Sequence, residues 1–183
     1  MKLTAIVGLA LAGFMLILCE TTIAQAAPEF YVSIIGAKQG PFKGEVVRKG
    51  LEGKITGLNF EYAMVAPRDS SSGLATGRRA HKPIKIVKAW GAASTQLFTA
   101  FAMNETLTSV VIDFFAIGPN GAMILDHTIK LTNAFVTSIE HPSDTLGPQA
   151  TFPSTETVEF VSQQIELINH TFKTSAMDSW SAP

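Results

Sequence analysis

From Phe30 onward the chain reads mostly in period two. Leu58, Phe60, Tyr62 and Met64 alternate with Asn59, Glu61 and Ala63, which places the four large side chains on one face of a strand. Phe30 to Ile35, Pro83 to Ala89, Leu107 to Ala116, Met123 to Ile139 and Glu156 to Asn169 behave similarly and are rich in Val, Ile, Thr and Phe, residues that suit a pleated, half-buried surface. The pattern predicts at least six strands. Pro119-Asn120-Gly121 supplies the positive-φ residues of a tight hairpin, so the two strands it joins are antiparallel. One segment departs from the alternation: Ser94 can cap a short helix in which Leu97, Phe98 and Phe101 share a face, ending near Asn104. Long strands with a single helix predict a mainly β fold, a two-sheet β-barrel or sandwich with the helix packed outside.

Two stretches break the pattern as loops. Ala66 to Lys82 holds Ser, Gly, Pro and basic residues with hardly an apolar anchor, and at about seventeen residues it exceeds the usual connection length. Loops of that kind carry function or are disordered. His141 to Thr155 is similar, with Pro142, Pro148 and Pro153 excluding regular structure. No internal repeat is visible.

Composition narrows the class. The chain has 183 residues, 46% hydrophobic and 16% charged, which suits one domain with a sizeable core. Fourteen Lys+Arg against fifteen Asp+Glu leave no global field to gather nucleic acid. Residues 1–26 differ from the rest: a lone Lys2, an apolar run from Leu3 to Leu18, then Ala24-Gln25-Ala26 as a small-x-small cleavage site. The run is about sixteen residues, short of the roughly twenty that a spanning helix needs, so a secretory signal peptide is expected, an uncleaved anchor being the alternative, with residues 27–183 as the mature domain and no membrane attachment after cleavage. Leu18 before Cys19 disfavours a lipoprotein. Without Cys19 the mature chain holds no thiol, hence no disulfide and no cysteine metal site.

Candidate chemistry is sparse. His81, His127, His141 and His170 are scattered, with no spacing that would bring two imidazoles onto one metal. Gly50-Leu51-Glu52-Gly53-Lys54 fails as a phosphate loop because Ile55 stands where Ser or Thr must reach the metal. Asp126-His127 could orient an imidazole, but neighbours on a strand point to opposite faces and no Gly-x-Ser-x-Gly elbow is present. No catalytic residue, metal or cofactor is expected. The patch Arg78, Arg79, His81 and Lys82 reads as a solvated loop or a contact to a neighbouring subunit rather than a phosphate site.

The order of short motifs adds to this. Pro67-Arg68-Asp69 to Ser72-Gly73, then Thr76-Gly77-Arg78-Arg79-Ala80-His81-Lys82-Pro83-Ile84, closely resembles the extended loop of the haemolysin-coregulated protein (Hcp) family, the tube subunits of type VI secretion. Lys88, Gln96-Leu97 with Ala100, Glu105-x-Leu107, Val110-x-Ile112, Ile129-x-Leu131-x-Asn133-Ala134, Ser138-Ile139, Glu156-x-Val158-x-Phe160 and Asp178-x-Trp180 follow in family order. The resemblance implies a two-sheet β-barrel with one helix, closing into homohexameric rings that stack head to tail, with secreted effectors and other type VI secretion components as partners. It further implies that Pro67, Arg68, Asp69, Gly77, Arg78, Arg79, His81 and Lys82 lie on the loop that meets the adjacent ring, and that Gly44, Glu45 and Val46 face the lumen. Family members commonly carry Ser where Val46 stands, and tube subunits assemble from the cytoplasm without an export segment. Two readings follow: a ring-and-tube subunit, or an exported periplasmic or secreted binding module that kept the fold and does not form tubes.

Overall fold

The computed structural model describes residues 30–141 and 154–180. The expected signal segment and the prolines of the second loop lie outside them. In chain order the elements are β1 (Phe30–Gly36), β2 (Gly40–Pro41), β3 (Ile55–Glu61), β4 (Met64–Val65), β5 (Ala80–His81), β6 (Ile84–Ala89), α1 (Ala92–Ala102), β7 (Leu107–Ile117), β8 (Met123–Glu140), β9 (Thr155–Asn169) and β10 (Thr174–Ser179). Six of the strands close on themselves in the order β9-β6-β3-β1-β7-β8, with β8 returning to β9, and every pairing is antiparallel. Closure removes the unpaired edges that strands this long would otherwise present. β10 stands outside the ring and, among the described residues, pairs with β9 alone.

Alternation decides what enters the barrel. Ile84, Ile86 and Lys88 of β6 and Glu156, Val158 and Phe160 of β9 are buried, while the residues between them are not. Phe30 stacks on Phe114 with ring centroids 5.2 Å apart, and Phe60 meets both edge-on. Gly57 leaves room for that aromatic cluster, because a Cβ there would overlap the Phe30 ring. Gly57→Ala is expected to lose about 1–3 kcal/mol, read as a lower urea midpoint with an unchanged slope.

Three sequence expectations change. Leu58 does not share the face of Phe60: the β3–β6 register shifts between Gly57 and Asn59, and this irregularity leaves Leu58 55% exposed. The strand also ends at Glu61, so Tyr62 and Ala63 fall between β3 and β4. The helix starts earlier than Ser94, from the N-cap Gly91, with Ser94 two positions inside the first residue. The Ser94 hydroxyl still caps, accepting from the Gly91 N–H at 3.0 Å. Its buried face is Ala93, Ser94, Leu97 and Ala100, packed towards β8, while Phe98 and Phe101 are 64% and 44% exposed. Small residues at that spacing allow close approach of the helix to the strands, and this outweighs the pull of two aromatic rings. The Pro119-Asn120-Gly121 turn joins β7 to β8 as expected, closed by Gly121 N–H donating to Gly118 O at 2.9 Å, with Gly121 at φ +74°.

Candidate functional site

The Ala66–Lys82 stretch is a loop that is pinned across itself rather than left open. β3 and β6 form a hairpin whose pairing continues beyond the barrel, through Met64 opposite His81, Val65 opposite Ala80, and an isolated bridge between Arg68 and Ala75. The result is a two-stranded arm. Polar residues with few apolar anchors order themselves here by bonding to their own backbone. The Asp69 carboxylate accepts from the hydroxyls of Ser71 and Ser72, at 2.6 and 2.8 Å, and from both of their backbone N–H groups, at 3.1 and 2.8 Å. These bonds, the Ser71 hydroxyl first, hold its carboxyl well below the usual range. Gly73 N–H donates to Asp69 O, and the Arg68 guanidinium donates to Gly73 O at 3.1 Å, which closes the tip.

The base of the arm is clamped by a strand from the far end of the chain. β6 and β10 pair with the same edge of β9, Ile84 opposite Phe160 and Ser179 opposite Gln164, so the end of β10 meets the start of β6. Five side chains meet at that junction. Arg79 donates to Asp178 Oδ2 through Nε at 2.6 Å and to Oδ1 through Nη2, a bidentate pair. His81 Nε2 lies 2.9 Å from Asp178 Oδ2, and its Nδ1 lies 2.8 Å from the Tyr62 hydroxyl. In the neutral ring Nε2–H donates to the carboxylate and Nδ1 accepts from Tyr62. Tyr62 stacks on His81 at 15° and Trp180 meets it edge-on at 5.6 Å, with the Trp180 backbone N–H donating to Gln163 O.

Electrostatics follow the contacts. Arg79 first, then His81, hold the Asp178 carboxyl far below its usual value, and the same pair raises Arg79. Burial and then the Asp178 charge push Tyr62 up, keeping it a neutral donor. A depressed carboxyl contributes what it holds above its unfolded value of about 3.8 and loses it only as pH falls through the lower folded value. The clamp is therefore expected to survive at pH 4, where ordinary aspartates protonate. An Asp178 carboxyl carbon NMR shift that stays constant between pH 7 and pH 4 checks this.

Of the residues expected on the loop, Pro67, Arg68 and Asp69 sit on the outgoing limb near the tip, and Gly77 and Arg78 on the returning limb. Arg79 and His81 are in the clamp, and Lys82 bonds through its backbone N–H to Ala63 O. Arg78, Arg79, His81, Asp178, Ser179 and Trp180 line a hollow of about 160 Å³ between arm and β10. Gly44, Glu45 and Val46 lie elsewhere, folded against the segment before β3. Gly44 N–H donates to Gly53 O, Val46 N–H to Lys54 O, and Glu45 Oε1 accepts from Thr56 N–H at 3.0 Å. Sequence reasoning missed Tyr62, read as a strand-face residue, and the role of Asp178. No local signal could have found them, since Asp178 is 97 residues from His81 and 99 from Arg79.

The Asp126-His127 expectation is corrected. His127 pairs with Phe114 and Leu125 with Phe115, so Asp126 is the extra residue of a bulge, which turns its carboxylate to within 2.9 Å of His127 Nδ1. It also accepts from Thr171 at 3.0 Å, and these bonds lower it, that from His127 most. Nearby, Thr128 donates to Asp113 at 2.7 Å and lies 2.9 Å from His170 Nε2, while Lys54 pairs with Asp113 at 2.6 Å. In that chain the hydroxyl proton is committed to the carboxylate, so the imidazole supports the hydroxyl without freeing it to attack. Among the described residues no three His, Cys, Asp or Glu side chains are grouped to hold a metal, and no helix is long and apolar enough to cross a membrane.

Comparison with known proteins places this architecture. The sequence model of the family described as "Type VI secretion system effector, Hcp" matches residues 31–168. The "Major exported protein" of Pseudomonas aeruginosa is 31% identical over 165 residues, spanning 84% of this chain and 95% of that protein. A crystal structure of an Hcp protein matches with a TM-score of 0.77 at 23% identity, covering 84% of this chain and 100% of the other. Hcp1 of Escherichia coli EAEC 042 gives 0.75 at 23%, over 84% and 99%, and the secreted protein Hcp3 of Pseudomonas aeruginosa 0.70 at 25%, over 85% and 100%.

Proposed function

The chain belongs to the Hcp family of type VI secretion proteins, and on that premise we propose that it is a structural subunit that closes into six-membered rings, which stack through the arm into a tube. The observation that carries this reading is the arm. A hairpin ordered by its own bonds extends past a barrel that is already closed, and it exposes Met64, Val65 and Leu74 beside the charges of Arg68 and Arg78. A surface with apolar anchors and flanking cations suits a register-setting contact with a second copy. Leu58, Phe98, Ile117, Phe172 and Met177 are further large apolar residues left exposed on a single subunit, and ring closure offers them cover. Gly44 to Val46 are proposed to face the lumen, where Val46 in place of a hydroxyl weakens polar capture of effectors.

The test is the assembly state of residues 27–183. Gel filtration with light scattering and negative-stain images are expected to show six-membered rings, and monomers alone at high concentration would overturn the reading. Arg68→Ala with Arg78→Ala is expected to keep rings and reduce stacks at least about tenfold, since charges at such an interface set register. The apolar stretch from Leu3 to Leu18 favours a second reading, an exported module that does not build tubes, for which the paired substitutions change nothing. Mass spectrometry finding a mature terminus at Ala27 supports export through that stretch, whereas retained Met1 removes the ground for the second reading.

A further inference from the structure

We infer that β10 is a latch for the arm, with Asp178 and Trp180 as positioning residues that fix the angle at which the arm leaves the barrel and so its competence to meet the next ring. The last clause rests on the tube reading; the latch itself does not.

Four observations carry it. First, the barrel closes without β10: β9 already has β8 along one edge and β6 on the other, so β10 contributes nothing to closure. Second, β10 lies end to end with β6, which places its last residues at the root of the arm rather than along its length. Third, the polar contacts there run from the arm or its root to the end of the chain's last strand: Arg79 and His81 reach Asp178 across 99 and 97 residues, the His81 ring is held through both nitrogens, and Trp180, the residue after β10, meets that ring edge-on. Fourth, the arm's other bonds are internal: those of Asp69 and Arg68 close its tip and do not reach the barrel. Two strands with three cross-strand pairings and few buried apolar groups are marginal in water, and only attachment at the root converts such a hairpin into a rigid projection.

The topology adds an order of events. The arm is made early in the chain and its lock is made last, so a subunit becomes competent to stack only once its final strand is in place. A bidentate Arg–carboxylate pair braced by an imidazole suits this role because it fixes direction as well as distance.

The experiment compares full-length mature wild type with Asp178→Asn, Asp178→Glu and Trp180→Ala by amide hydrogen exchange and by counting rings and stacks in negative stain. In Asp178→Asn the amides of Val65, Ala80 and Lys82 are expected to exchange about tenfold or more faster while those of β7 stay unchanged, rings persist, and stacks fall by about the same factor. Trp180→Ala is expected to shift in the same direction by less, and Asp178→Glu, which keeps the charge, to recover part of the protection. Unchanged arm exchange in Asp178→Asn would overturn the latch, and so would an equal rise in β7, which would make Asp178 a residue of general stability. Faster arm exchange with stacks intact would overturn its link to stacking. Wild-type rings that never stack would sink the tube reading instead, and the exchange comparison would still decide the latch.

Discussion

Lys88→Ala is expected to destabilise the barrel by about 3–5 kcal/mol, the range for breaking a buried ion pair from one side. Lys88 and Glu156 are 0% and 1% exposed and their charges meet at 2.7 Å. Lys88 Nζ also donates to Ala89 O at 2.7 Å and to the Ser94 hydroxyl at 3.1 Å, and Ser94 in turn donates to Glu156 Oε1 at 2.7 Å. Truncating the lysine leaves a buried carboxylate that, among the described residues, has that hydroxyl and His141, 4.0 Å from its second oxygen, to answer it. Because Ser94 also caps α1, the damage reaches the helix, and loss of helical signal should accompany the lower urea midpoint. The double variant Lys88→Met with Glu156→Leu removes both charges while keeping volume, and it is expected to recover most of the loss. If the double variant is as unstable as the single one, packing rather than the uncompensated charge is responsible.

Glu105→Ala is the second large effect, expected at about 2–4 kcal/mol, since a carboxylate that accepts several bonds is removed from a site 3% exposed. Its Oε1 accepts from the backbone N–H groups of Lys38 and Gln39, at 2.7 and 2.9 Å, and its Oε2 from the Gln39 side chain at 2.8 Å. It thus ties the turn after β1 to the end of α1, where its own N–H donates to Ala100 O. Burial alone would raise its carboxyl, but the bonds from Gln39 and Lys38 prevail and hold it below 4.5. A group depressed in this way stabilises the fold above its unfolded value and loses that contribution as pH falls through the folded one. Urea midpoints should therefore drop in the wild type as pH falls below about 4.5. The Glu105→Gln variant, with nothing to protonate there, should show a shallower fall, and an identical pH profile in the two would refute the assignment.

Much of this was legible in the chain itself. Period-two reading found β1, β6, β7, β8 and β9 to within a residue or two, because side chains alternate wherever one face of a strand is buried. The same rule, applied strictly, puts Lys88 behind Ile84 and Ile86, and Glu156 ahead of Val158 and Phe160, on the inward face. A cation and an anion both pointing inward are a readable sign of a buried pair, though their meeting is not. The rule fails at bulges. Leu58 turned outward and Asp126 swung towards His127 because one residue on each strand has no partner opposite, and a register shift belongs to two strands rather than to one. The helix misled for a related reason: aromatic residues look like a core face, but small residues were needed where α1 approaches β8.

The arm divides the two kinds of knowledge most clearly. Local patterning alone shows that Ala66 to Lys82 is polar, long and studded with turn residues, that the rest is a mainly β domain, and that its motifs follow the order of one family. Those are properties of neighbouring residues, set by backbone preferences and by side chains alternating over short distances. That the stretch is pinned across itself as an arm, that β10 is redundant for closure, and that Asp178 reaches Arg79 and His81 emerge with the folded barrel. Such contacts depend on how far each strand slides against the next around a closed barrel, and that stagger is the sum of all the pairings, carried by no single segment.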